Sequence, residues 1–245
     1  MRLDKFLAEM SVGSRSEVKG YIRKGQIAVN GEIVKDAGMQ VSPETDRVEA
    51  FGREVAYARY EYYMLHKPAG YITATRDRQH PVVMDLLTDT LRKDLFPVGR
   101  LDVDTEGLLL ITNDGELAKN LLSPAHHVEK TYYARICGVL DDASKRMLQE
   151  GMDIGEKHPT KPAKLRIISQ SPTEGSEVEL TITEGKYHQV KRMFAGVGTP
   201  VAYLRRISMG NLQLDEHLKT GAYRALTEQE VADLRKAGKS CKLMY

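Results

Sequence analysis

Six short segments between residues 62 and 208 have the composition of β-strands, and their irregular spacing constrains the fold more than any other feature. They are rich in aliphatic, aromatic and β-branched residues, as strands usually are. In order they read YYMLH, GLLLIT, KTYYARI, AKLRIIS, EVELTIT and VAYLRRIS. Helical patterns occur at residues 83–91, 116–122, 142–150, 188–195 and 228–237. Because strands and helices do not alternate regularly, the sequence predicts an α+β fold rather than a doubly wound parallel sheet.

The first 25 residues have the pattern of two short helices. One apolar stripe with helical spacing consists of Leu3, Phe6, Leu7 and Met10. Ser14 then stands three residues before Glu17, which is the spacing of a capping box that begins a second helix. On that helix Arg15, Lys19 and Arg23 recur every four residues, so they share one face.

A hairpin is expected directly after these helices. Asn30-Gly31 stands between the short apolar segments of IAVNGEIV, and this dipeptide is a strong signal for a tight β-turn. Residues 41–48, with Pro43 and Asp46 in a turn, are expected to add another strand. We therefore predict a helix–helix–hairpin domain over residues 1–60, a second domain over residues 61–235 and a basic tail over residues 236–245.

The overall composition excludes several classes of protein. No apolar run approaches the roughly 20 residues that a membrane span needs, and the N-terminus lacks the apolar stretch of a signal peptide. Cys137 and Cys241 are far apart and match neither a disulfide framework nor a zinc motif. We therefore expect no membrane association and a reducing, cytoplasmic location. The formal net charge of +2 indicates no particular partner, so the placement of the charges has to be examined.

The stretch GRLDVDTEGLLLITNDG collects several carboxylates around an apolar run. A calcium loop is rejected, because Glu106 and Asn113 occupy the fifth and twelfth positions, where an EF-hand needs Asp or Asn and then Glu. A pair of acids for glycoside hydrolysis stays open, since Asp102 and Asp104 would lie roughly 7 Å apart on an extended segment. Asp104, Glu106 and Asp114 are otherwise interpreted as loop and turn residues.

Asp102 differs from the other acids in its surroundings. It follows Arg100 and precedes the apolar run, where a strand could hold it rigidly. A carboxylate nucleophile has to stay ionised when it is partly buried, so it needs a cation close by. The sequence has two sources of such a cation, Arg100 and the later segment TEGKYHQVKRMF.

That later segment combines basic and aromatic residues. Five cations without an intervening acid are Lys186, Lys191, Arg192, Arg205 and Arg206, and Tyr187, Phe194 and Tyr203 are interleaved with them. Such a pattern suits nucleic acid, because cations hold phosphates and rings stack on bases. A solvated helix face with aromatic residues in the core is the alternative. In EKTYYARI, strand alternation would place Lys130 and Tyr132 on one face and Tyr133 on the other.

Together these segments resemble one enzyme family, the pseudouridine synthases, in the branch that acts on small-subunit ribosomal RNA. The segments MLHKPAGYITA, GRLDVDTEGLLLITNDGELA, SPAHHVEKTYYARI, KPAKL and TEGKYHQVKRMFAGVG follow the family's order and spacing. The first 60 residues resemble the small αL RNA-binding domain named for ribosomal protein S-four. The resemblance implies a catalytic domain with a mixed, largely antiparallel sheet flanked by helices and loops.

The resemblance also implies roles for individual residues. The aspartate of GRLD, here Asp102, is the family's catalytic residue, and the tyrosine of the K-x-Y motif, here Tyr132, stacks on the target uracil. Lys191 occupies the position of the cation that pairs with the aspartate, and Arg100 is linked to base flipping or RNA holding. Relatives often carry Asn where this chain has His66. The remaining cations assigned to RNA binding are Arg2, Lys5, Arg15, Lys19, Arg23, Lys24, Lys130, Lys186 and Arg192.

On this interpretation the chain is an RNA pseudouridine synthase that needs neither a metal nor a cofactor. Its partner is ribosomal RNA, within a small-subunit assembly particle, and the protein is expected to be a monomer. Three alternatives stay open at this point. They are a synthase acting on large-subunit ribosomal RNA, a non-catalytic RNA-binding factor of ribosome assembly and, more distantly, a glycosidase acting on carbohydrate.

Overall fold

The computed structural model describes residues 1–238 and has the predicted α+β character. The chain divides into two compact units. The first contains Met1–Glu61 together with Leu87–Leu95, and among the described residues the second contains Tyr62–Leu86 and 96–238. No helix within residues 1–238 has both the length and the apolar character required to cross a bilayer.

The N-terminal unit contains two helices and a small antiparallel sheet. Helix α1 spans Leu3–Glu9 and α2 spans Arg15–Arg23. The strands are β1 (Ile27–Val29), β2 (Glu32–Ile33), β3 (Val48–Ala50) and β4 (Arg53–Glu54), in the order β2-β1-β3-β4. The predicted stripe of Leu3, Phe6, Leu7 and Met10 is buried in the core of this unit, where it meets Val18 and Ile22. Burial of this stripe fixes which side of each helix faces solvent.

Two local signals in this unit are confirmed. The Ser14 hydroxyl accepts a hydrogen bond from the Glu17 N–H at 3.4 Å, and the Glu17 carboxylate accepts one from the Ser14 N–H at 2.7 Å, so the capping box is complete. Asn30 and Gly31 both have positive φ, 54° and 85°, as the tight turn between β1 and β2 requires.

The turn predicted at Pro43 and Asp46 is observed, but it takes up most of residues 41–48, so the strand expected there is confined to its last residue and the two that follow. The Asp46 N–H donates to the Ser42 carbonyl at 2.8 Å, and the Asp46 carboxylate accepts from the Ser42 N–H, also at 2.8 Å. An aspartate that satisfies nearby backbone groups in this way favours a turn over a strand. The strand β3 begins only at Val48.

The second unit is built on a large twisted sheet. Its long strands are β5 (Tyr62–Lys67), β7 (Glu106–Thr112), β8 (Lys130–Ile136), β9 (Lys164–Ser171), β10 (Gly175–Ile182) and β11 (Val201–Met209). Three short strands complete it, β6 (Phe96–Pro97), β12 (Leu212–Gln213) and β13 (Tyr223–Ala225). The order is β13-β5-β7-β11-β8-β10-β9, with β6 beside β7 and β12 beside β11. All six long strands were predicted from the sequence.

One pair of strands in this sheet is parallel, β7 with β11, and the other pairs are antiparallel. The sheet is therefore mixed and largely antiparallel, as expected. At the parallel pairing Gly107 has φ of 103°, and a Cβ at that position would lie 2.2 Å from the Arg206 carbonyl oxygen. Only glycine permits this close approach of the two backbones. The approach is made directly after the segment GRLDVDTE, whose carboxylates were singled out above.

Four α-helices accompany the sheet within residues 62–238. They are α3 (Gly115–Leu122), α4 (Asp142–Glu150), α5 (Gln189–Gly196) and α6 (Glu228–Ala237), close to their predicted limits. Leu117 and Leu121 of α3 and Leu234 of α6 pack with Leu108 and Leu110 of β7 in one buried cluster. Because α6 extends to Ala237, Lys236 and Ala237 are helical rather than part of a tail. The rest of the predicted tail, residues 239–245, lies outside the described residues.

The helix predicted over residues 83–91 is wrong. Only Val83–Leu86 forms a short 3-10 helix, and the following residues are held by the first unit. The Glu61 carboxylate accepts hydrogen bonds from the Leu91 N–H at 3.2 Å and the Arg92 N–H at 2.9 Å. In an α-helix each of these N–H groups would donate to the carbonyl four residues earlier. Here a carboxylate distant in sequence takes the place of those backbone hydrogen bonds.

Candidate active site

A cavity of about 760 Å³ opens in the second unit and is lined by several segments distant in sequence. Residues 99–103 and 182–191 supply most of its wall, and strands β8 and β11 supply Lys130, Tyr132, Leu204 and Arg206. Asp102, Tyr132, Lys191, Arg100, Lys130 and Lys186 all line it. The fold therefore brings all three predicted catalytic residues to one concave site, which is where ligands usually bind.

The loop that carries Asp102 is fixed from both sides. The Thr105 N–H donates to the Asp102 carbonyl at 3.1 Å, closing a turn just before β7. The Thr73 hydroxyl contacts both backbone groups of Leu101, donating to its carbonyl at 2.7 Å and accepting from its N–H at 3.1 Å. These bonds hold the backbone around Asp102 in place while its carboxylate faces the cavity. A catalytic group has to be held rigidly in this way to stay aligned with its substrate.

Lys67 also holds this loop. Its side chain is fully buried at the end of β5, and its ammonium lies within hydrogen-bonding distance of four backbone carbonyls. These belong to Pro68 (3.0 Å), Asp102 (3.0 Å), Val103 (3.3 Å) and Thr105 (2.8 Å). Burial lowers the pKa of Lys67 to about 8, against the attraction of the Asp104, Asp102 and Glu106 carboxylates. The lysine thus positions the Asp102 backbone rather than its carboxylate.

Lys191 lies between two carboxylates. Its ammonium is 3.4 Å from Asp102 Oδ2, as the predicted pairing requires, and 2.5 Å from Asp104 Oδ1. The shorter contact is therefore to Asp104, which the sequence suggested to be a plain loop residue. The hydrogen bond from Lys191 lowers the pKa of the Asp104 carboxyl below its usual value. Because the Asp104 side chain is 67% exposed, water screens that ion pair, and Lys191 remains available to Asp102.

His188 is a site residue that sequence reasoning missed. Its Nε2 lies 3.5 Å from Asp102 Oδ1, so the carboxylate has a second nitrogen partner opposite Lys191. The residue precedes α5 with φ of 48°, and its ring stacks on Tyr187 with 3.8 Å between centroids. Its position in the basic, aromatic segment was the only signal available, since the left-handed backbone that directs the ring toward Asp102 has no sequence signature.

The floor of the cavity carries the predicted tyrosine. Tyr132 and Lys130 alternate with more exposed neighbours along β8, so both side chains lie on the buried face. Tyr133 is on the opposite face, where its ring meets that of Tyr203 at a centroid distance of 6.1 Å. The predicted division of the two tyrosines between the faces is therefore observed, and Tyr132 is the one that lines the cavity.

Two of the predicted RNA-binding cations near the cavity are engaged by protein groups. The Lys186 ammonium donates to the carbonyls of His158 and Pro159, the second at 2.8 Å. Arg192 pairs with Glu156 at 2.7 Å and donates to the carbonyls of Tyr187 and Ile154. Arg100 is exposed at the rim. Lys186 and Arg192 therefore hold the segment TEGKYHQVKRMF in place.

The cations of the N-terminal unit fall into two groups. Arg2 is paired with Asp4 at 2.9 Å, and Lys5 lies 3.6 Å from Glu9. The second group is exposed and, within residues 1–238, forms no ion pair with a carboxylate. It consists of Arg15, Lys19, Arg23 and Lys24. These four are the cations of this unit best placed to meet a phosphate backbone.

The other acids and His66 have structural partners. The Glu106 carboxylate accepts a hydrogen bond from the Tyr203 hydroxyl at 2.7 Å, and Asp114 caps α3 through the Leu117 N–H at 3.0 Å. His66 is buried on β5 with its Nδ1 2.8 Å from the Leu218 carbonyl. Within the described part of the chain, no group of three or more His, Cys, Asp or Glu side chains is arranged to hold a metal ion.

Comparison with known proteins places this chain in a family. A family model described as RNA pseudouridylate synthase matches residues 61–196, and an S4 domain model matches residues 1–48. The chain belongs to the RNA pseudouridylate synthase family. It is thus an isomerase of RNA with an N-terminal S4 domain, and the glycosidase alternative is excluded.

Named relatives support this assignment over nearly the full length. The synthase is 43% identical to the ribosomal small subunit pseudouridine synthase A of Escherichia coli (strain K12), over 96% of this chain and all of that protein. It is 46% identical to the uncharacterized RNA pseudouridine synthase YtzG of Bacillus subtilis (strain 168), over 94% of this chain and 97% of that one. A solved crystal structure of a pseudouridylate synthase superposes with a TM-score of 0.67 at 41% identity, covering 96% of this chain and 99% of that one.

Proposed function

We propose that this synthase isomerises one uridine of small-subunit (16S) ribosomal RNA to pseudouridine, with Asp102 as its catalytic carboxylate. The observation that carries the residue assignment is the position of Asp102 in the cavity wall, with Lys191 at 3.4 Å and His188 at 3.5 Å. The choice of RNA is supported by relatives at 41–43% identity that are named ribosomal small subunit pseudouridine synthase A. We place docking in residues 1–60 and catalysis in residues 61–235 of a monomer that acts on an assembly particle.

The reaction determines what the cavity has to hold. Conversion of uridine to pseudouridine breaks the bond between C1′ of the ribose and N1 of uracil, turns the base, and rejoins C1′ to C5. The target nucleotide has to leave its stack, at a cost of a few kcal/mol. Stacking of the extruded base on the ring of Tyr132 offsets part of that cost, since such contacts contribute roughly 1–3 kcal/mol per base. A cavity floored by an aromatic side chain suits this step.

Asp102 acts on the ribose while the base is detached. In one route its carboxylate forms a bond to C1′ as N1 leaves, and in the other it takes the proton from C2′ so that a glycal forms. Both routes require the carboxylate to be ionised and aimed at the sugar. Lys191 and His188 contact different oxygens of the carboxylate, Oδ2 and Oδ1, and this arrangement fixes the plane of the group.

The N-terminal unit is proposed to dock the RNA through Arg15, Lys19 and Arg23 of α2. Replacement of all three by Gln is expected to weaken binding of a ribosomal RNA fragment about 10- to 100-fold at low salt. The slope of log affinity against log salt concentration should fall by about 2 to 3, because each lost phosphate contact removes roughly 0.7–0.9. Filter binding at several salt concentrations measures both quantities.

The matched control is Arg47→Gln on the same unit. Arg47 is already paired with Glu49 at 2.8 Å and Glu54 at 3.2 Å, so its replacement should leave the salt slope unchanged. Equal slopes for the triple variant and the wild type would remove α2 from the docking surface.

The substrate assignment is tested in cells. Pseudouridines are mapped in both ribosomal RNAs from a strain that lacks this protein. We expect one pseudouridine to disappear from 16S RNA and to return when the wild-type chain is supplied. Loss of a pseudouridine from large-subunit RNA instead would show that this RNA is the substrate and would contradict the assignment to 16S RNA. An unchanged map of both RNAs would contradict it altogether.

A further inference from the structure

Two cations share the cavity floor with Tyr132. Lys130 precedes Tyr132 by two positions on β8, so their side chains lie on the same face of the sheet. Arg206 of β11 is the direct cross-strand neighbour of Tyr132, which puts it on that face as well. All three line the cavity. One aromatic ring, one ammonium and one guanidinium group thus share this face of the cavity.

Both cations are buried and lack a counter-ion. Lys130 is 8% exposed and Arg206 is 1% exposed. The Lys130 ammonium donates to the Val128 carbonyl at 3.1 Å, and Arg206 donates through Nε to the Leu108 carbonyl at 2.8 Å. The Arg206 Nη2 has no hydrogen-bond partner among the residues that the structure describes. Neither side chain forms an ion pair with a carboxylate anywhere in residues 1–238.

Two buried cations without a counter-ion are an unfavourable arrangement. Burying a charge costs several kcal/mol unless an opposite charge or a full set of hydrogen bonds compensates. Burial, together with the nearby charge of Arg206, lowers the pKa of Lys130 to about 8. Two buried like charges beside a cavity with unused N–H donors are the features of a site for an anion that arrives with the ligand.

RNA can bring an anion to this site in two forms. The phosphates are anionic at all times, whereas the uracil base is neutral until its bond to the sugar breaks. When the C1′–N1 bond breaks, its electron pair stays with the base, and the resulting anion is spread over N1, O2 and O4. The cations lie beside the tyrosine proposed to stack on the base, at the floor of the cavity. This placement favours the base over a phosphate, which would approach from the rim.

We propose that Lys130 and Arg206 stabilise the uracil anion in the interval between cleavage of the C1′–N1 bond and formation of the C1′–C5 bond. The proposal rests on the proposed function and holds for both routes. In either route one negative charge passes from Asp102 to uracil, because the carboxylate becomes bonded to C1′ or to the C2′ proton as the base leaves. When C5 then bonds to C1′, a glycal intermediate regains its C2′ proton and an ester releases the carboxylate. C5 loses its proton and N1 gains one, so no atom is added or removed overall.

The two cations are therefore expected to raise the rate of the reaction rather than the affinity for RNA. The substrate base is neutral and the transition state carries a developing negative charge, so the cations contribute more to the transition state than to the bound ground state. Removing one charge should lower the rate at saturating RNA and leave binding almost unchanged.

The test uses the full chain with Lys130→Met, Lys130→Gln and Lys130→Arg. Single-turnover tritium release from RNA labelled at uracil C5 is expected to slow about 100-fold or more for Lys130→Met and Lys130→Gln, the size of effect seen when one charge-stabilising donor is removed. Lys130→Arg, which keeps the charge, should recover most of the rate. The affinity for RNA should stay within about threefold, since uniform binding is unaffected. Lys130→Gln retains a donor for the Val128 carbonyl and serves if Lys130→Met does not fold, as judged by circular dichroism.

A second substrate changes the acidity of the leaving base. RNA with 5-fluorouridine at the target position releases a more acidic base, which needs less stabilisation as an anion. Consumption of that nucleoside is measured by nuclease digestion and mass spectrometry. The loss of rate that Lys130→Met causes, relative to the wild type, should be at least about tenfold smaller on this substrate than on uridine. Equal deficits on both substrates would overturn the proposal.

The other outcomes are separable. A phosphate site would show a weaker affinity for RNA and a salt slope reduced by about 1, with an unchanged rate at saturation. That result would contradict the uracil assignment. Wild-type release of tritium together with full activity of Lys130→Met would refute this inference alone. Absence of release by the wild-type protein would refute the proposed function itself.

Discussion

Asp102→Asn is expected to abolish tritium release from C5-labelled RNA, with a loss of at least about 1000-fold in the single-turnover rate. Asparagine is nearly the same size, keeps the Asp102 backbone in its network and removes only the charge and basicity of the carboxylate. Neither a bond to C1′ nor removal of the C2′ proton is then available. RNA affinity and the thermal unfolding midpoint should stay close to wild-type values, because the side chain is partly exposed and its partners Lys191 and His188 remain solvated.

The control for that experiment is Asp104→Asn. Asp104 is the nearer partner of Lys191 and lies two residues away in the same loop, so it tests whether any lost carboxylate disturbs the site. We expect its rate to stay within about fivefold of the wild type, since exposed ion pairs contribute little. If Asp104→Asn were as inactive as Asp102→Asn, the catalytic role would have to be divided between the two acids.

The sheet of this synthase could be predicted because its strands carry local patterns. The run GLLLIT became β7 and the alternating segment KTYYARI became β8, with Tyr132 inside and Tyr133 opposite. Capping boxes and an Asn-Gly turn are similarly local, since each involves residues only a few positions apart. These elements carry Asp102, Tyr132 and Lys191 to one cavity, although the resemblance to a family was needed to select them.

Two features that the sequence did not predict correctly have the same physical cause, which is a long-range contact that overrides a local preference. The helix expected over residues 83–91 failed because the Glu61 carboxylate binds the N–H groups of Leu91 and Arg92. The contact of His188 with Asp102 joins residues 86 positions apart and depends on a positive φ. Neither contact leaves a periodic signal in the sequence.

Lys67 is the clearest case of a residue that local analysis undervalues. In the sequence it belongs to a Lys-Pro-Ala-Gly turn, and lysine is a residue type that is usually exposed. In the structure it ends β5, is fully buried and reaches backbone carbonyls 35 to 38 positions later. An ammonium has three donors, so its four carbonyl contacts leave no N–H without a partner. Its position explains why the loop before β7 can be rigid without regular secondary structure.

Lys67→Met is expected to lower the free energy of unfolding by about 3–5 kcal/mol, because the methionine side chain is of similar length but has no hydrogen-bond donor. The carbonyls of Asp102 and Thr105 lose their shared partner, and the loop that aims Asp102 loses its attachment to β5. Tritium release should therefore fall with the stability, and it should stay low even at temperatures where the variant remains folded. Chemical denaturation and single-turnover kinetics at low temperature measure the two effects separately.

The pH dependence provides an independent check on the same contact. The folded-state pKa of Lys67, about 8, lies below the value of 10.5 that the group has when exposed, so between these values the unfolded chain binds more protons than the folded one. This difference makes the wild-type free energy of unfolding rise with pH over that interval. Lys67→Met lacks the group, so the difference in stability between the two proteins should widen as pH increases from about 8. Lys164→Met, which removes an exposed lysine, should change stability by less than about 0.5 kcal/mol at any of these pH values. A Lys67→Met protein with wild-type stability and tritium release would show that the Thr73 hydroxyl and the Thr105 N–H alone hold the loop.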